Sequence, residues 1–263
     1  MAQRRRISVK RDTVRIDVIE DNPTAPTTLV LLPSSARDSE DFDDIALRFA
    51  ARGLRVLRPQ PRGMGASTGP MTGLTLHDFA ADIAAVIAQL GSGPAFVLGH
   101  AFGQWVARCL AADHPRQVRG VILAAAAART LAPDLRDALT IAADPTQPRQ
   151  ARLAALQKAF FVPGHDPAAW LHNWHPAAGR SQRAAGAATP IDDWWHAGTA
   201  PVLDLQAELD PWRPPGTRND IRAALGKERV RVVLIPNASH ALIPEQPDAV
   251  VDAVTDWIKT VRP

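Results

Sequence analysis

The stretch Leu98-Gly99-His100-Ala101-Phe102-Gly103-Gln104-Trp105 constrains this chain more than any other. A buried strand over 95–98 runs almost directly into a small-residue helix over 103–113. Glycines at 99 and 103 permit a turn so tight that Ala101 is forced to the tip, pointing into the space above a sheet.

The flanking pattern supplies that sheet. Ile7 and Val9, then Val14, Ile16 and Val18, alternate with polar residues on either side of 10–12, which predicts a hairpin. Residues 28–32 are almost wholly apolar, as a strand covered on both faces requires. A helix is expected over 40–52, with Phe42, Ile45, Ala46 and Phe49 at helical spacing and Gly53 closing it. A short strand over 54–57 follows. Thr75 and Asp78 have the spacing of a capping box, opening a helix that carries Leu76, Phe79, Ile83, Val86, Ile87 and Leu90 to Gly91. Further strands fall at 121–123, 202–205 and 230–235, and a closing helix at 248–261. Strands alternating with helices predict an α/β fold: a mostly parallel twisted sheet with helices on both faces. Residues 129–198, rich in Ala, Pro, Trp and His, break the rhythm and read as an inserted helical lid. The core is then 1–128 plus 199–263.

Composition narrows the function classes. With 46% apolar and 22% charged residues among 263, the chain is globular rather than disordered or fibrous. The longest apolar run, 121–128, is less than half a membrane span, so no transmembrane helix is expected. One cysteine, Cys109, excludes an internal disulfide and a multi-thiolate zinc cluster. No apolar stretch follows the basic start, which does not read as a secretory leader; a reducing cytoplasm is the expected location. The net charge is only +3, and residues 1–15 hold six cations against Asp12. The excess is local, and a charged edge strand explains it better than a nucleic-acid arm. No nucleic-acid or membrane partner is expected, and the oligomeric state stays open.

Two further residues join the turn. Asp210 follows the strand near 202–209 in Asp-Pro-Trp, and His240 follows the strand 230–236 in Asn237-Ala-Ser-His240. Parallel strand ends bring such loops to one edge, where a carboxylate can hold one imidazole nitrogen so that the other serves as base. Glu208 is a rival acid, but the proline after Asp210 marks a loop.

With these elements the chain resembles the α/β-hydrolase family, whose nucleophile elbow is Gly-x-Ser-x-Gly, followed in order by acid and histidine. The resemblance spans nearly the whole chain and includes Arg62-Gly63-Met64-Gly65-Ala66-Ser67, similar to the family's Arg-Gly-x-Gly-x-Ser loop. The acidic residue usual just upstream is replaced by Gln60-Pro61, and with it the loop's usual ion pair is in question. The resemblance implies ester or other acyl hydrolysis of a smallish, largely apolar substrate. It implies His240 as base and Asp210 as its partner, with backbone N–H groups of Phe102 and Ser35 as oxyanion donors and Ser34 as the second choice. Its nucleophile position is Ala101, which has no hydroxyl.

Three explanations of Ala101 stay open at this point. The chain is an inactivated variant of a serine enzyme, or a native enzyme working through a His240–Asp210 general-base dyad (a lyase or cofactor-independent oxygenase, for example), or a ligand-binding relative. Among the aromatic residues, Trp170 and Trp174 of the lid and Trp212 near Asp210 are candidates to line a substrate pocket. His172, His175 and His196 lack a metal-ligand pattern, and no metal, flavin or dinucleotide is implied. His100 is expected to be a packing residue, His77 to face solvent and Cys109 to be buried and inert.

Overall fold

The computed structural model describes residues 4–129 and 133–261. The opening three residues and 130–132, at the front of the expected lid, lie outside that description. Eight strands form one sheet: β1 (Arg4–Arg11), β2 (Val14–Asp21), β3 (Thr27–Leu32), β4 (Leu54–Pro59), β5 (Ala95–His100), β6 (Val118–Ala124), β7 (Val202–Ala207) and β8 (Val230–Ile235). The spatial order is β1-β2-β4-β3-β5-β6-β7-β8. β1 and β2 form the expected antiparallel hairpin, β2 meets β4 antiparallel, and every pairing from β4 through β3 to β8 is parallel.

Helices α1 (Asp43–Ala51) and α2 (Leu76–Leu90) precede β5, and α3 (Gly103–Asp113) follows it. The expected 40–52 helix is split, because a 3-10 turn over Ser39–Phe42 comes first. Four helices lie between β6 and β7: α4 (Pro133–Ala143), α5 (Arg149–Ala159), α6 (Pro176–Ala188) and α7 (Ile191–Trp194). α8 (Asp220–Leu225) precedes β8, and α9 (Leu242–Glu245) and α10 (Pro247–Thr260) end the chain. Among the described residues no helix is long and apolar enough to cross a membrane.

The all-apolar run of β3 is explained by two cores. Val30 and Leu32 pack with α2 and α3 on one face, while Leu29 and Leu31 pack with α1 and α10 on the other. A third cluster joins α4 and α5 to Trp170, Phe160 and Trp212. The capping box forms: the Thr75 N–H donates to Asp78 at 2.8 Å. The basic N-terminal segment is an edge strand whose arginines are paired across the hairpin, Arg4 with Asp21 and Arg6 with Asp17 at 2.7 Å each, and Arg5 with Glu20. The Arg62 loop keeps an ion pair despite Gln60-Pro61. Its partner is Asp82 of α2, 2.6 Å away and almost fully buried, so the acid comes from a different element.

The turn between β5 and α3 is as tight as the glycines predict. Ala101 lies in the left-handed region, φ +47°, at a cost on the order of 1 kcal/mol for a residue with a Cβ. A Cβ on Gly99 would stand 2.3 Å from the Gln104 nitrogen, and one on Gly103 would stand 2.3 Å from the Leu32 carbonyl oxygen. Both obstacles are backbone atoms that cannot swing aside. Gly103→Ala is therefore expected to lower unfolding stability by about 3 kcal/mol or more, measured by urea denaturation. A loss below about 1 kcal/mol would show that β3 and α3 can separate at this point.

Candidate active site

β5 delivers Ala101, β7 delivers Asp210 and β8 delivers His240, all at the C-terminal ends of parallel strands. The Ala101 N–H donates to Ala124 O at 2.9 Å, fixing the tip against β6. The loops after β7 and β8 are joined by Glu208 N–H to Ile235 O, 3.0 Å, and Leu209 N–H to Ala238 O, 2.8 Å. That pairing sets Asp210 beside His240. His240 Nδ1–H donates to Asp210 Oδ2 at 3.0 Å, with Oδ1 at 3.1 Å. Both residues are buried. Asp210 Oδ1 also accepts the Trp212 N–H at 2.9 Å. Nδ1 is thereby the protonated nitrogen, and Nε2, which has no partner among the described residues, carries the lone pair. Glu208 points elsewhere: it is exposed and accepts the Asn237 N–H.

His100 is buried, but it does more than pack. Its Nε2–H donates to the backbone carbonyl of His240 at 2.8 Å, linking the residue before the elbow tip to the main chain of the base. Burial, with His240 alongside, pushes its pKa down to about 3. It is a neutral donor at all ordinary pH values. Glu245 is a second residue that sequence reasoning passed over. Its carboxylate accepts the Ser239 N–H at 2.6 Å and the Val162 N–H at 2.7 Å, tying the histidine loop to the end of α5.

Phe102 stands at the start of α3 and Ser35 in the loop after β3, and among the described residues neither backbone N–H has an acceptor. Buried Ser34 accepts the Arg37 N–H at 3.2 Å through its carbonyl. Of the three tryptophans, Trp212 stacks nearest the base, 5.2 Å from the His240 ring. Its indole N–H is used by Ala159 O at 2.6 Å. Trp170 meets His100 edge-on at 6.2 Å. Trp170 and Trp174 also flank the buried Arg37 guanidinium, each 4.8 Å from it. Arg37 further donates to His172 O at 2.5 Å and pairs with Asp41 at 2.6 Å. His175 pairs with Asp38 at 2.9 Å. These contacts fasten the helices between β6 and β7 to the loop after β3.

His172, His175 and His196 do not converge on a metal site. Among the described residues the only trio with metal-compatible donors is His77, Cys109 and Asp113. Its members already satisfy one another: His77 Nδ1 and Asp113 lie 2.7 Å apart, and the thiol faces both. Burial, with Asp113 next to it, pushes the Cys109 thiol up, as expected of an inert cysteine. His77 is only half-exposed.

A family model described as the alpha/beta hydrolase fold matches residues 27–247. The chain belongs to the α/β-hydrolase fold family, and its fold and relatives support a hydrolase. It is 26% identical to a 2-(acetamidomethylene)succinate hydrolase of Mesorhizobium japonicum, over 97% of this chain and 94% of that one. It is 25% identical to a monoacylglycerol lipase of Mycolicibacterium smegmatis, over 88% and 87%. A solved thermophilic esterase from Thermogutta terrifontis superposes with a TM-score of 0.77 at 22% identity, covering 100% of both chains.

The buried neutral His100 has a consequence for stability. Its folded pKa lies below the unfolded value near 6.5, so below that pH the unfolded chain takes up a proton that the folded chain refuses. Stability attributable to this group is complete above pH ~6.5 and falls as pH is lowered toward ~3, by about 2 kcal/mol at pH ~5. Urea unfolding at neutral and mildly acid pH should show a correspondingly smaller acid loss in His100→Gln. An identical loss in both proteins would mean that His100 protonates within the fold.

Proposed function

We propose that the protein hydrolyses small, largely apolar acyl esters by direct attack of water, with His240 as general base and no acyl-enzyme intermediate. The observation that carries this reading is the buried His240–Asp210 pair, whose free Nε2 belongs to a loop bound to the elbow through His100. The alanine tip removes the competing nucleophile and leaves the volume of a hydroxyl for water. A ligand-binding relative would have no use for a buried carboxylate–imidazole pair, which costs desolvation to maintain.

In this reading Nε2 takes a proton from the attacking water as its oxygen bonds to the ester carbon. The carbonyl oxygen becomes an oxyanion facing the N–H groups of Phe102 and Ser35. Asp210 steadies the imidazolium without taking its proton. The tetrahedral species then collapses, the C–O bond to the alcohol breaks, and the imidazolium returns its proton to the leaving oxygen. The products are acid and alcohol. Helices α4–α7 act as a lid. Trp170, Trp174 and Trp212, with Phe160 at 5.6 Å from the His240 ring, form an aromatic wall that favours apolar acyl groups.

The test is initial-rate hydrolysis of p-nitrophenyl acetate and butyrate. The native chain should turn over without a burst, and His240→Ala should reduce kcat/KM by roughly 10²–10⁴-fold. Equal rates in native and His240→Ala protein would remove the reaction from this site.

A further inference from the structure

The cations that give the start of the sequence its positive excess are largely neutralised in the fold: Arg4, Arg5, Arg6 and Arg11 each pair with a carboxylate. Uncompensated charge stands toward the other edge of the sheet. An open groove of about 640 Å³ runs past the N-terminal ends of β6, β7 and β8. Its lining holds five cations, Arg119, Arg222, Lys227, Arg229 and Arg231, against one acid, Glu228.

Among the described residues none of the five pairs with a carboxylate. Arg119 donates from Nη2 to the Val261 carbonyl at 3.0 Å, and its buried Nε has no acceptor. Arg229 donates to the carbonyls of Ala200 at 2.8 Å, His196 at 2.7 Å and Ala197 at 2.8 Å. Those dipoles fix its position without cancelling its charge, and burial pushes its pKa down. Arg222, Lys227 and Arg231 are exposed. Asp256 of α10 feels the charge of Arg231, but it pairs with Lys259 at 2.9 Å. An adjoining groove of about 500 Å³ shares Arg119 and shows the ordinary arrangement. There Arg52 pairs with Asp252 at 2.7 Å, and Lys259 with Asp256.

The lining sets the ligand. Guanidinium groups present paired donors that match phosphate oxygens. Cations spread around one groove favour an anion whose charge is itself spread over several groups. The volume falls within the range of small-molecule sites. Trp257, the aromatic residue that borders the groove, is 3% exposed and offers no face on which a nucleobase could stack. We propose that this groove binds a small soluble anion carrying two or more phosphate groups, held through those phosphates by Arg119, Arg222, Lys227 and Arg231. Arg229 braces the loop that presents Lys227. The groove lies at the opposite strand ends from His240, on the order of 20 Å away for a strand of this length. The proposal is therefore independent of the reaction assigned to His240.

The experiment is calorimetric titration of the full chain with phosphate, pyrophosphate and tripolyphosphate at constant, near-physiological ionic strength. Affinity should rise roughly tenfold with each added phosphate. The double variant Arg222→Gln with Lys227→Gln changes only exposed positions and should weaken tripolyphosphate binding roughly tenfold or more. A control double variant, Lys10→Gln with Arg136→Gln, removes the same charge from exposed positions outside the groove. It should bind within about twofold of the native chain, because distant exposed charges are screened. Absence of tripolyphosphate binding, or an equal loss in both double variants, overturns the proposal. Oligothymidylate that binds more tightly than tripolyphosphate, and more weakly to the groove variant, would assign the groove to single-stranded nucleic acid and also overturn it. Capture on vesicles of phosphatidylcholine and phosphatidylinositol bisphosphate that tripolyphosphate does not displace would place the phosphates on a membrane, with the same consequence.

Discussion

The arrangement depends on a steric constraint at one bend. β5 can pass into α3 within two residues only because the positions on either side of the bend carry no Cβ, with backbone atoms 2.3 Å from where one would stand. That close approach sets α3 against the end of β3 and forces residue 101 into the left-handed region. The loop after β3 and the start of α3 then lie side by side. Among the described residues the backbone N–H groups of Ser35, in that loop, and of Phe102, at that start, have no acceptor. The strained tip is maintained although residue 101 carries no nucleophilic side chain.

The base is assembled by a different principle. Asp210 and His240 are 30 residues apart, and their loops are stitched together by main-chain bonds before the side chains meet. Several further contacts hold the imidazole: Trp212 stacks on it, Glu245 grips the residue before it, and His100 takes its carbonyl. Each contact replaces water with a fixed dipole or apolar surface, which is what a general base with a fixed tautomer needs. Arg37, buried between two indoles, and the pair His175–Asp38 join the segment between β6 and β7 to the loop after β3. Burial works against the Asp38 carboxylate, yet the His175 hydrogen bond and the Glu40 N–H outweigh it and hold Asp38 below its usual range. The Asp38 carboxylate is thus ionised at neutral pH.

Much of this was legible in the sequence, because it follows from local rules. Glycines at 99 and 103 announce the bend, the alternation of strand and helix gives the sheet, and the order of Asp210 and His240 places both at one edge. The helix over 103–113 and the capping box at Thr75 come out as expected. What escaped depends on long-range partners. His100 looks like any core residue until its acceptor, 140 positions away, is known. Gln182 is one polar residue in an alanine-rich helix, and only the fold brings it to Ser35. Trp170 and Trp174 stood out in the sequence as aromatic residues of the expected lid, but not as the two sides of a cation clamp on Arg37. Asp82 replaces the missing acid of the Arg62 loop from another helix, a substitution that no local pattern reveals.

The central claim is that the bend at Ala101 and the free nitrogen of His240 form one reaction centre. Placing a hydroxyl at position 101 tests it most directly. Ala101→Ser, treated with a fluorophosphonate and weighed as an intact protein, should gain one covalent adduct per chain at residue 101, and Ala101→Ser with His240→Ala should gain none. A serine at 101 that stays unlabelled in a folded protein, or one labelled equally without His240, would contradict the account.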